Sequence, residues 1–250
     1  MEALMLAAGI GDRLGGSADG RPKVLMHFGG ESLLARHIAI LRDAGLGRLT
    51  MVTGHNREMI EDEIDRLDAR DFVRTVFNSD FREGSVVSMH VGLAALDPVG
   101  PFLFMDGDVL YDRRMIERLV GAGRENRFLL DREFLPGDEP VKLCLRAGRF
   151  VEFRKKVEVE YDLWGESVGF FRFSPDMARI LRMRAEAYLA EGRRLEPYEE
   201  VIRDALLAAG DGVFGYEDVT GLPWVEIDFP GDIRRAETEI LPLLRDGGAA

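Results

Sequence analysis

Short runs rich in apolar and β-branched side chains alternate with amphipathic stretches through the first half of the chain. The runs predict strands at Ala3–Ala8, Leu49–Thr53, Val73–Asn78 and Phe102–Met105. The amphipathic stretches predict helices: one that Ser32 caps and Gly45 ends, one over 57–67, and one that continues to Leu96. Strands that alternate with helices at this spacing imply a mainly parallel sheet with right-handed crossovers.

In the second half of the chain, strand signals come closer together. Two alternating segments flank Ala147-Gly148 and predict a β-hairpin, and Ser167–Phe173 predicts a further strand. The other predicted elements are a helix to about Val120, a strand to Asp131, helices at 175–191 and 198–209, a strand at 213–216 and a last helix to about Leu244. We interpret 1–250 as a single domain in which 131–172 form a small β-rich insertion that covers the site.

A glycine-rich segment follows the first strand directly. It reads Leu6-Ala7-Ala8-Gly9-Ile10-Gly11-Asp12-Arg13-Leu14, and Pro22-Lys23-Val24-Leu25 comes shortly after it. Glycines let backbone N–H groups approach an anionic ligand, and Arg13 and Lys23 add two cations that can hold a phosphate chain. Two better-known phosphate loops are excluded, because Leu14 stands where the dinucleotide fingerprint needs its third glycine and Val24 where the P-loop needs Ser or Thr. We therefore predict a triphosphate site here in preference to a structural loop.

Two carboxylates end the apolar strand Phe102–Met105. The segment Asp106-Gly107-Asp108 lies at the carboxyl edge of the predicted sheet, where open α/β sheets bind their ligands. Carboxylate oxygens beside a triphosphate suit Mg²⁺, although an aspartate at a strand end is also a common turn or helix cap. Because the glycine-rich segment predicts phosphate nearby, the sequence favours a magnesium ligand over a cap at this pair of aspartates.

Composition and charge narrow the classes of function. The chain has 250 residues, of which 46% are hydrophobic, and this size suits one core with an insertion. A net charge of −12 disfavours nucleic acid and anionic membranes as partners, so clustered basic residues are assigned to a small anionic ligand. Cys144 is the single cysteine, which excludes an intramolecular disulfide and suits a reducing compartment. Since no signal-peptide pattern or bilayer-spanning apolar segment is present, we expect a cytoplasmic protein without stable membrane association.

The glycine-rich segment and the downstream Pro22-Lys23-Val24-Leu25 resemble the signature loop of nucleotidyltransferases that join a nucleoside triphosphate to a phosphorylated sugar or alcohol. Further along, Asp131, Val141-Lys142, Lys155 and Glu166 occur in the order seen in phosphocholine-type cytidylyltransferases and their aminoethylphosphonate relatives. The resemblance implies a Rossmann-like three-layer α/β/α nucleotidyltransferase domain. It also implies Mg²⁺-dependent transfer of CMP from CTP to a small phosphorylated or phosphonylated alcohol, with release of pyrophosphate.

The same resemblance implies a role for each matching residue. The nucleotide-binding set is Leu6, Ala7, Ala8, Gly9, Gly11, Gly84, Ser88 and Asp106, the catalytic cations are Arg13, Lys23, Lys142 and Lys155, the acceptor-binding set is Asp131, Glu166, Tyr198 and Glu199, and the metal ligands are Asp108 and Asp228. Asp228 belongs to a Trp-x-Glu-Ile-Asp segment, and Asp232 behind it is interpreted as a helix cap. For Gly84 and Ser88, the alternative to base contact is an ordinary helix N-terminus. For Lys142 and Lys155, the alternative to phosphate contact is a place on a solvent-exposed face of the hairpin.

Several acceptors and two other functions stay open at this point. Phe134, Tyr161 and Trp164 lie among acidic residues, and aromatic faces beside carboxylates bind ammonium groups, so phosphocholine or 2-aminoethylphosphonate is the preferred acceptor. Inositol 1-phosphate and a sugar 1-phosphate are the alternatives. A glycosyltransferase is a rival because Asp106-Gly107-Asp108 has the D-x-D form, and a regulatory protein that binds CTP without turnover is another. A homodimer also stays open.

Overall fold

The computed structural model describes residues 1–11, 14, 20–96, 98–121, 123, 126–133 and 140–244. Its strands are β1 Glu2–Ala7, β2 His27–Phe28, β3 Glu31–Ser32, β4 Arg48–Thr53, β5 Val73–Phe77, β6 Phe102–Asp106, β7 Val109–Tyr111, β8 Asn126–Asp131, β9 Lys142–Arg146, β10 Arg149–Arg154, β11 Leu163–Phe173, β12 Phe214–Asp218 and β13 Trp224–Glu226. Its helices are α1 Leu33–Asp43, α2 Arg57–Arg66, α3 Ser85–Ala95, α4 Arg114–Val120, α5 Pro175–Ala190, α6 Tyr198–Ala208 and α7 Pro230–Arg235. Short helical turns occur at Lys23–Leu25, Ala236–Ile240 and Leu241–Leu243.

A nine-stranded sheet organises the described part of the chain. Along one path its strand order is β10-β9-β11-β6-β1-β4-β5, while β8 pairs with β11 and β12 pairs with β8. Strands β6, β1, β4 and β5 run parallel, and residues such as Leu4 and Phe104 are completely buried in them. The predicted α/β class is confirmed, and β11 introduces the antiparallel part of the sheet.

Helices cover both faces of the sheet and give three layers. On one face, α1 and α2 pack against the sheet through buried side chains that include Ile38 and Ile64. On the other face, α3, α5 and α6 pack through Met89, Leu181 and Ile202. This arrangement confirms the predicted three-layer α/β/α architecture, because each face of the parallel strands is buried against helices.

The β-rich region continues the main sheet. Strands β9 and β10 form the predicted hairpin across Ala147-Gly148. Strand β11 begins at Leu163, earlier than the predicted Ser167, and its first half pairs with β9 while its second half pairs with β6. The predicted role of 131–172 as a cover over the acceptor stays a prediction, and 134–139 lie outside the described residues.

Strands β7 and β13 pair antiparallel in a separate two-stranded sheet, for which the periodicity of the sequence predicts nothing. Strand β7 begins directly after Asp108, and β13 ends two residues before Asp228. Behind this pair, Leu110 and Val225 are buried in a small apolar cluster with Phe28. Apolar burial on one side therefore fixes the ends that carry the two aspartates.

Helix ends follow local signals in the sequence. Ser32 Oγ accepts a hydrogen bond from Ala35 N at 3.1 Å, which caps α1 as predicted. The predicted last helix is composite, since a π-helical turn and a 3₁₀ turn follow α7. Across the described ranges, no helix combines the length and the apolar character that crossing a membrane requires.

Candidate functional site

Three carboxylates meet beside the short β7–β13 sheet. They belong to Asp108, Glu226 and Asp228, and one oxygen of each lies within 4.8 Å of the others. The N–H of Ile227 donates to the carbonyl of Asp108 at 2.9 Å, which holds the two chain segments side by side. Asp232 Oδ2 accepts from the N–H of Asp228 at 3.0 Å, so the capping residue also fixes the backbone of the neighbouring aspartate. The structure thus brings the two predicted metal ligands together. We call these three residues the acidic cluster.

Lys23 lies between two members of the acidic cluster. Its ammonium donates to Asp108 Oδ2 at 2.9 Å and to Asp228 Oδ1 at 2.6 Å. Val24, the next residue of the turn Lys23–Leu25, is buried and anchors the turn in the fold. Burial opposes the charge on Lys23, but the two aspartates outweigh that cost and raise its pKa. Lys23 therefore stays protonated over the physiological pH range.

Glu226 belongs to the acidic cluster although the sequence analysis assigns it no role. Partial loss of hydration inside the site, together with the charges of Asp108 and Asp228, raises the pKa of Glu226, although the residue as a whole is exposed. Its one signal in the sequence is the alternation of Trp224, Glu226 and Asp228, which spans too few residues to identify a strand. A carboxylate this close to two others keeps its proton or shares a cation.

Asp106 is anchored to the fold by Tyr198. The Tyr198 hydroxyl donates to Asp106 Oδ2 at 2.5 Å. Burial raises the pKa of Asp106 well above its ordinary value, and the charges of Asp108 and Glu199 add to that effect. The two aspartates of the Asp106-Gly107-Asp108 segment therefore differ, since Asp106 accepts a hydrogen bond from Tyr198 and Asp108 accepts one from Lys23.

Gly169 leaves room for the contact between Asp106 and Tyr198. Its φ is +78°, and a Cβ built on it would lie 2.4 Å from Asp106 Oδ2. We expect Gly169→Ala to lower the free energy of unfolding by about 2–4 kcal/mol, because a left-handed backbone cost adds to a steric one. Gly192 has a φ of +76° and no atom within 4 Å of a Cβ, so Gly192→Ala measures the backbone cost alone. Urea unfolding of both variants gives the difference, and equal losses would contradict the steric role of Asp106.

A cavity of about 470 Å³ opens beside the acidic cluster, at the end of β1. Its lining includes Leu6, Ala7, Gly9, Gly11, Lys23, Ser85, Gly107, Asp108, Lys155, Glu199, Glu226 and Asp228. A Cβ on Gly9 would meet open space, so a ligand can approach the backbone there, whereas Ala8 is buried. Arg13 lies outside the described residues, and its contact with phosphate stays a prediction.

The two residues predicted to contact the base have packing roles. A Cβ on Gly84 would lie 2.3 Å from the carbonyl oxygen of Glu196, so only glycine fits at this start of α3. Ser88 is buried, and its Oγ accepts from Asn78 Nδ2 at 3.0 Å. Ser85, between them, lines the cavity. Contact of Gly84 and Ser88 with a base stays a prediction.

A second cavity, of about 270 Å³, adjoins the first. Its wall carries the carboxylates of Asp106, Asp131, Glu133, Glu166, Glu199, Glu226, Asp228 and Asp232, the cations of Lys155 and Arg235, and the rings of Phe153, Phe171, Tyr198, Trp224 and Phe229. Lys155, Glu199, Glu226 and Asp228 line both cavities. Ligands bound in the two cavities would meet at this shared edge.

The two predicted acceptor lysines have different environments. Lys142 is 8% exposed, and its ammonium donates to the carbonyl of Lys155 at 2.7 Å. Lys155 lies one residue beyond β10 and lines both cavities. Lys142 therefore supports the backbone that carries Lys155. A direct contact of either lysine with an acceptor phosphate stays a prediction.

Glu166 and Asp131 lie side by side in the wall of the second cavity. In the sheet, Glu166 pairs with Asp131 on one side and with Lys142 on the other. Trp224 Nε1 donates to Asp131 Oδ2 at 2.8 Å. Burial, together with the charge of Asp131, raises the pKa of Glu166 to about 7. The charge of this wall therefore changes near neutral pH.

Glu166→Gln is expected to make stability depend less on pH. The ordinary pKa of this carboxyl is 4.5 and the folded value is about 7, so between them the unfolded chain binds fewer protons. The contribution of Glu166 to the free energy of unfolding therefore falls as the pH rises through this window, and it is constant above it. Between pH 4 and pH 8, the free energy of unfolding of the variant, measured with urea and compared with that of the wild type, should therefore rise by up to about 3 kcal/mol. A difference that is independent of pH would contradict the raised pKa.

The aromatic residues at the second cavity differ from those that the sequence analysis selects. Tyr161 and Trp164 contact each other, with ring centroids 5.5 Å apart, and among the described residues neither belongs to the lining of this cavity. Phe134 lies outside the described residues. Trp224, which lines the cavity and donates to Asp131, provides an aromatic ring next to a carboxylate instead of Tyr161 and Trp164.

The acidic cluster fits a divalent cation. Its three residues offer only carboxylate oxygens, the donors that Mg²⁺ prefers in proteins, and these lie within 4.8 Å of one another. The repulsion that raises the pKa of Glu226 is the repulsion that a cation would relieve. A divalent metal is therefore compatible with the residues present.

Comparison with known proteins adds sequence similarity to this geometry. Residues 3–144 match the family model of the MobA-like NTP transferase domain. The chain is 32% identical, over 243 residues, to a bifunctional IPC transferase and DIPP synthase from Rubrobacter xylanophilus, covering 96% of this chain and 52% of that protein. It is 27% identical to the CMP-5'-(3-aminopropyl)phosphonate synthase of Streptomyces rubellomurinus, covering 97% of this chain and 39% of that protein. The chain thus spans about half the length of these relatives, or less.

Solved structures show the same fold. The structure of the inositol-1-phosphate CTP transferase from T. maritima superposes with a TM-score of 0.78 over 100% of this chain and 98% of that one. The sequence identity is 19%, so this likeness concerns the fold alone. It agrees with the mixed sheet flanked by helices that the strands and helices of this chain form.

Proposed function

The chain belongs to the family of MobA-like NTP transferase domains, and on that premise we propose that it transfers CMP from CTP to a small phosphorylated or phosphonylated alcohol and releases pyrophosphate. The observation that carries the proposal is the shared edge of the two cavities, which Lys155 lines together with Glu226 and Asp228 of the acidic cluster. One cavity holds the glycine-rich backbone suited to a triphosphate, and the other holds the second ligand. A two-substrate transfer needs this arrangement, since the reacting groups must meet in line.

The proposed reaction needs little covalent chemistry from the protein. A phosphate or phosphonate oxygen of the acceptor attacks the α-phosphorus of CTP, and the bond to the pyrophosphate oxygen breaks. The nucleophile is already an anion, so no general base is required. The chain's own groups bring two polyanions together: backbone N–H groups near Gly9 and the ammonium of Lys23 on the triphosphate side, and Lys155 on the acceptor side.

The acidic cluster is the proposed site of Mg²⁺. Asp108, Asp228 and Glu226 would hold the ion, which when bound neutralises charge on the phosphoryl oxygens. Lys23, whose ammonium lies beside two of these carboxylates, is the further cation that we assign to the triphosphate.

We propose an acceptor with a cationic head group, such as phosphocholine or 2-aminoethylphosphonate. The wall of the second cavity carries many more carboxylates than cations among the described residues. Within that wall, the indole of Trp224 is held against Asp131, and an aromatic face beside a carboxylate attracts an ammonium group. Glu166 next to Asp131 adds negative charge above its pKa of about 7.

Inositol 1-phosphate is the second candidate acceptor. Below a pH of about 7 the Glu166 carboxyl is protonated and can donate as well as accept, which suits hydroxyl groups. The similarity to the IPC transferase and to the aminopropylphosphonate synthase leaves both kinds of acceptor to be tested.

The test is pyrophosphate release with each of the four nucleoside triphosphates across a panel of acceptors. The panel contains phosphocholine, 2-aminoethylphosphonate, inositol 1-phosphate and glucose 1-phosphate. We expect the highest kcat/KM with CTP and an ammonium-bearing acceptor. A clear preference for inositol 1-phosphate or a hexose 1-phosphate would exclude the cationic head group and keep the transfer reaction. CTP binding without pyrophosphate release from any acceptor would favour the regulatory protein, and transfer of a sugar would favour the glycosyltransferase.

A further inference from the structure

The ammonium of Lys23 contacts two of the three carboxylates of the acidic cluster that could hold a metal ion. It contacts Asp108 Oδ2 and Asp228 Oδ1 at 2.9 and 2.6 Å, while the side chains of Lys23, Asp108 and Asp228 are only 17%, 23% and 22% exposed. Both oxygens belong to the two residues predicted as metal ligands, and the third carboxylate of the cluster, Glu226, lies within 4.8 Å. The pair of contacts therefore forms an internal ion cluster inside the site.

An ammonium and a divalent ion that contact the same carboxylate oxygens repel each other. Mg²⁺ binds carboxylate oxygens at about 2.0–2.1 Å, so an ammonium at hydrogen-bond distance from the same atoms would lie against the ion. Two cations at that separation repel strongly, and partial burial reduces the screening by water. A bound metal and the present position of Lys23 thus compete for Asp108 and Asp228.

We propose that Lys23 is the counter-ion of the nucleotide-free acidic cluster and that a divalent metal binds tightly only after Lys23 has left Asp108 and Asp228. The inference rests on the proposed function in one respect, because a triphosphate in the cavity beside Lys23 is the anion that takes over its ammonium. Lys23 then has two successive partners, the carboxylates in the free protein and the phosphates in the complex. A free metal ion is kept at low occupancy, and the metal enters together with the nucleotide.

The test measures Mn²⁺ binding to the nucleotide-free protein by electron paramagnetic resonance. Lys23→Met and Lys23→Gln remove the competing charge, so each should bind Mn²⁺ at least about tenfold more tightly than the wild type. Lys23→Arg keeps the charge and should retain weak binding. Lys156→Met removes one exposed lysine outside the cluster and is the matched control for net charge, with an expected change of less than about twofold.

The outcomes separate this inference from the proposed activity. Unchanged Mn²⁺ affinity in both neutral Lys23 variants would overturn it, as would equal tightening in Lys156→Met. If Lys23→Met does not fold, as judged by circular dichroism, the Mn²⁺ affinity of the neutral but polar variant Lys23→Gln decides the question. The readout uses Mn²⁺ alone, so a failure to release pyrophosphate from CTP would refute the proposed function and leave this result standing.

Discussion

Asp108→Asn is expected to lower the turnover number by about three orders of magnitude or more while the protein stays folded. The amide keeps the size of the side chain but loses the negative charge that a divalent ion requires. Asp108 also faces Lys23, and its backbone carbonyl accepts from Ile227, a contact that the substitution leaves in place. The loss should therefore fall on the chemical step and not on the fold. Pyrophosphate release at saturating CTP and acceptor measures it.

The control for Asp108→Asn is a carboxylate remote from the site. Asp71 pairs with Arg42 on the surface and is 77% exposed, so Asp71→Asn should keep wild-type turnover. Thermal unfolding of both variants shows whether either has lost stability. A folded Asp108→Asn protein with near-wild-type turnover at limiting Mg²⁺ would remove Asp108 from the site.

Lys23 and Asp108 could be singled out because the first follows the glycine-rich segment and the second follows an apolar strand. Asp228 has no comparable local signal, and its assignment as a metal ligand comes from the resemblance to the nucleotidyltransferase family. Glu226 could not be assigned in the same way, because its importance depends on the pairing of β7 with β13. That pairing involves two strands of three residues each, too short to show a periodicity.

The same limit explains what the sequence misses in the fold. Parallel strands such as β6 contain short continuous apolar runs, here Phe102–Met105, and burial on both faces makes these runs recognisable. Strand β11 is different, since Gly169 has a positive φ in its middle and the pairing register shifts between Ser167 and Phe171. A bulge of this kind interrupts the alternation of side chains, so the pattern identifies only the second half of the strand.

Side-chain contacts decide between residues that look equivalent in sequence. Lys142 and Lys155 are both cations on the predicted hairpin, yet the ammonium of Lys142 donates to the carbonyl of Lys155. Among the aromatic residues, Trp224 reaches the second cavity because its indole donates to Asp131 across the fold. The predicted hairpin brings Lys142 close to Lys155 but does not say which lysine is buried. The contact of Trp224 with Asp131 joins β13 to β8, which lie far apart in the sequence.

Lys155→Ala is expected to lower kcat/KM for the acceptor by about a hundredfold, which corresponds to about 2.7 kcal/mol and is typical of a lost charge-assisted hydrogen bond. Lys155 lines both cavities at their shared edge, where the acceptor phosphate and the α-phosphate of CTP would meet. Among the described residues of the acceptor cavity, Arg235 is the other cation, so few groups can replace the lost charge. The KM for CTP should change less, because Lys23 and the backbone near Gly9 remain on the triphosphate side.

Lys156→Ala is the matched control for Lys155→Ala, since it removes the same charge from the next residue, which is exposed and does not belong to the described lining of either cavity. It should leave both kinetic constants within about twofold of the wild type. Initial rates with each substrate varied at saturation of the other separate the two effects of Lys155→Ala. If the variant weakens CTP binding and leaves the acceptor constants unchanged, Lys155 belongs to the triphosphate side, and the assignment of the two cavities is reversed.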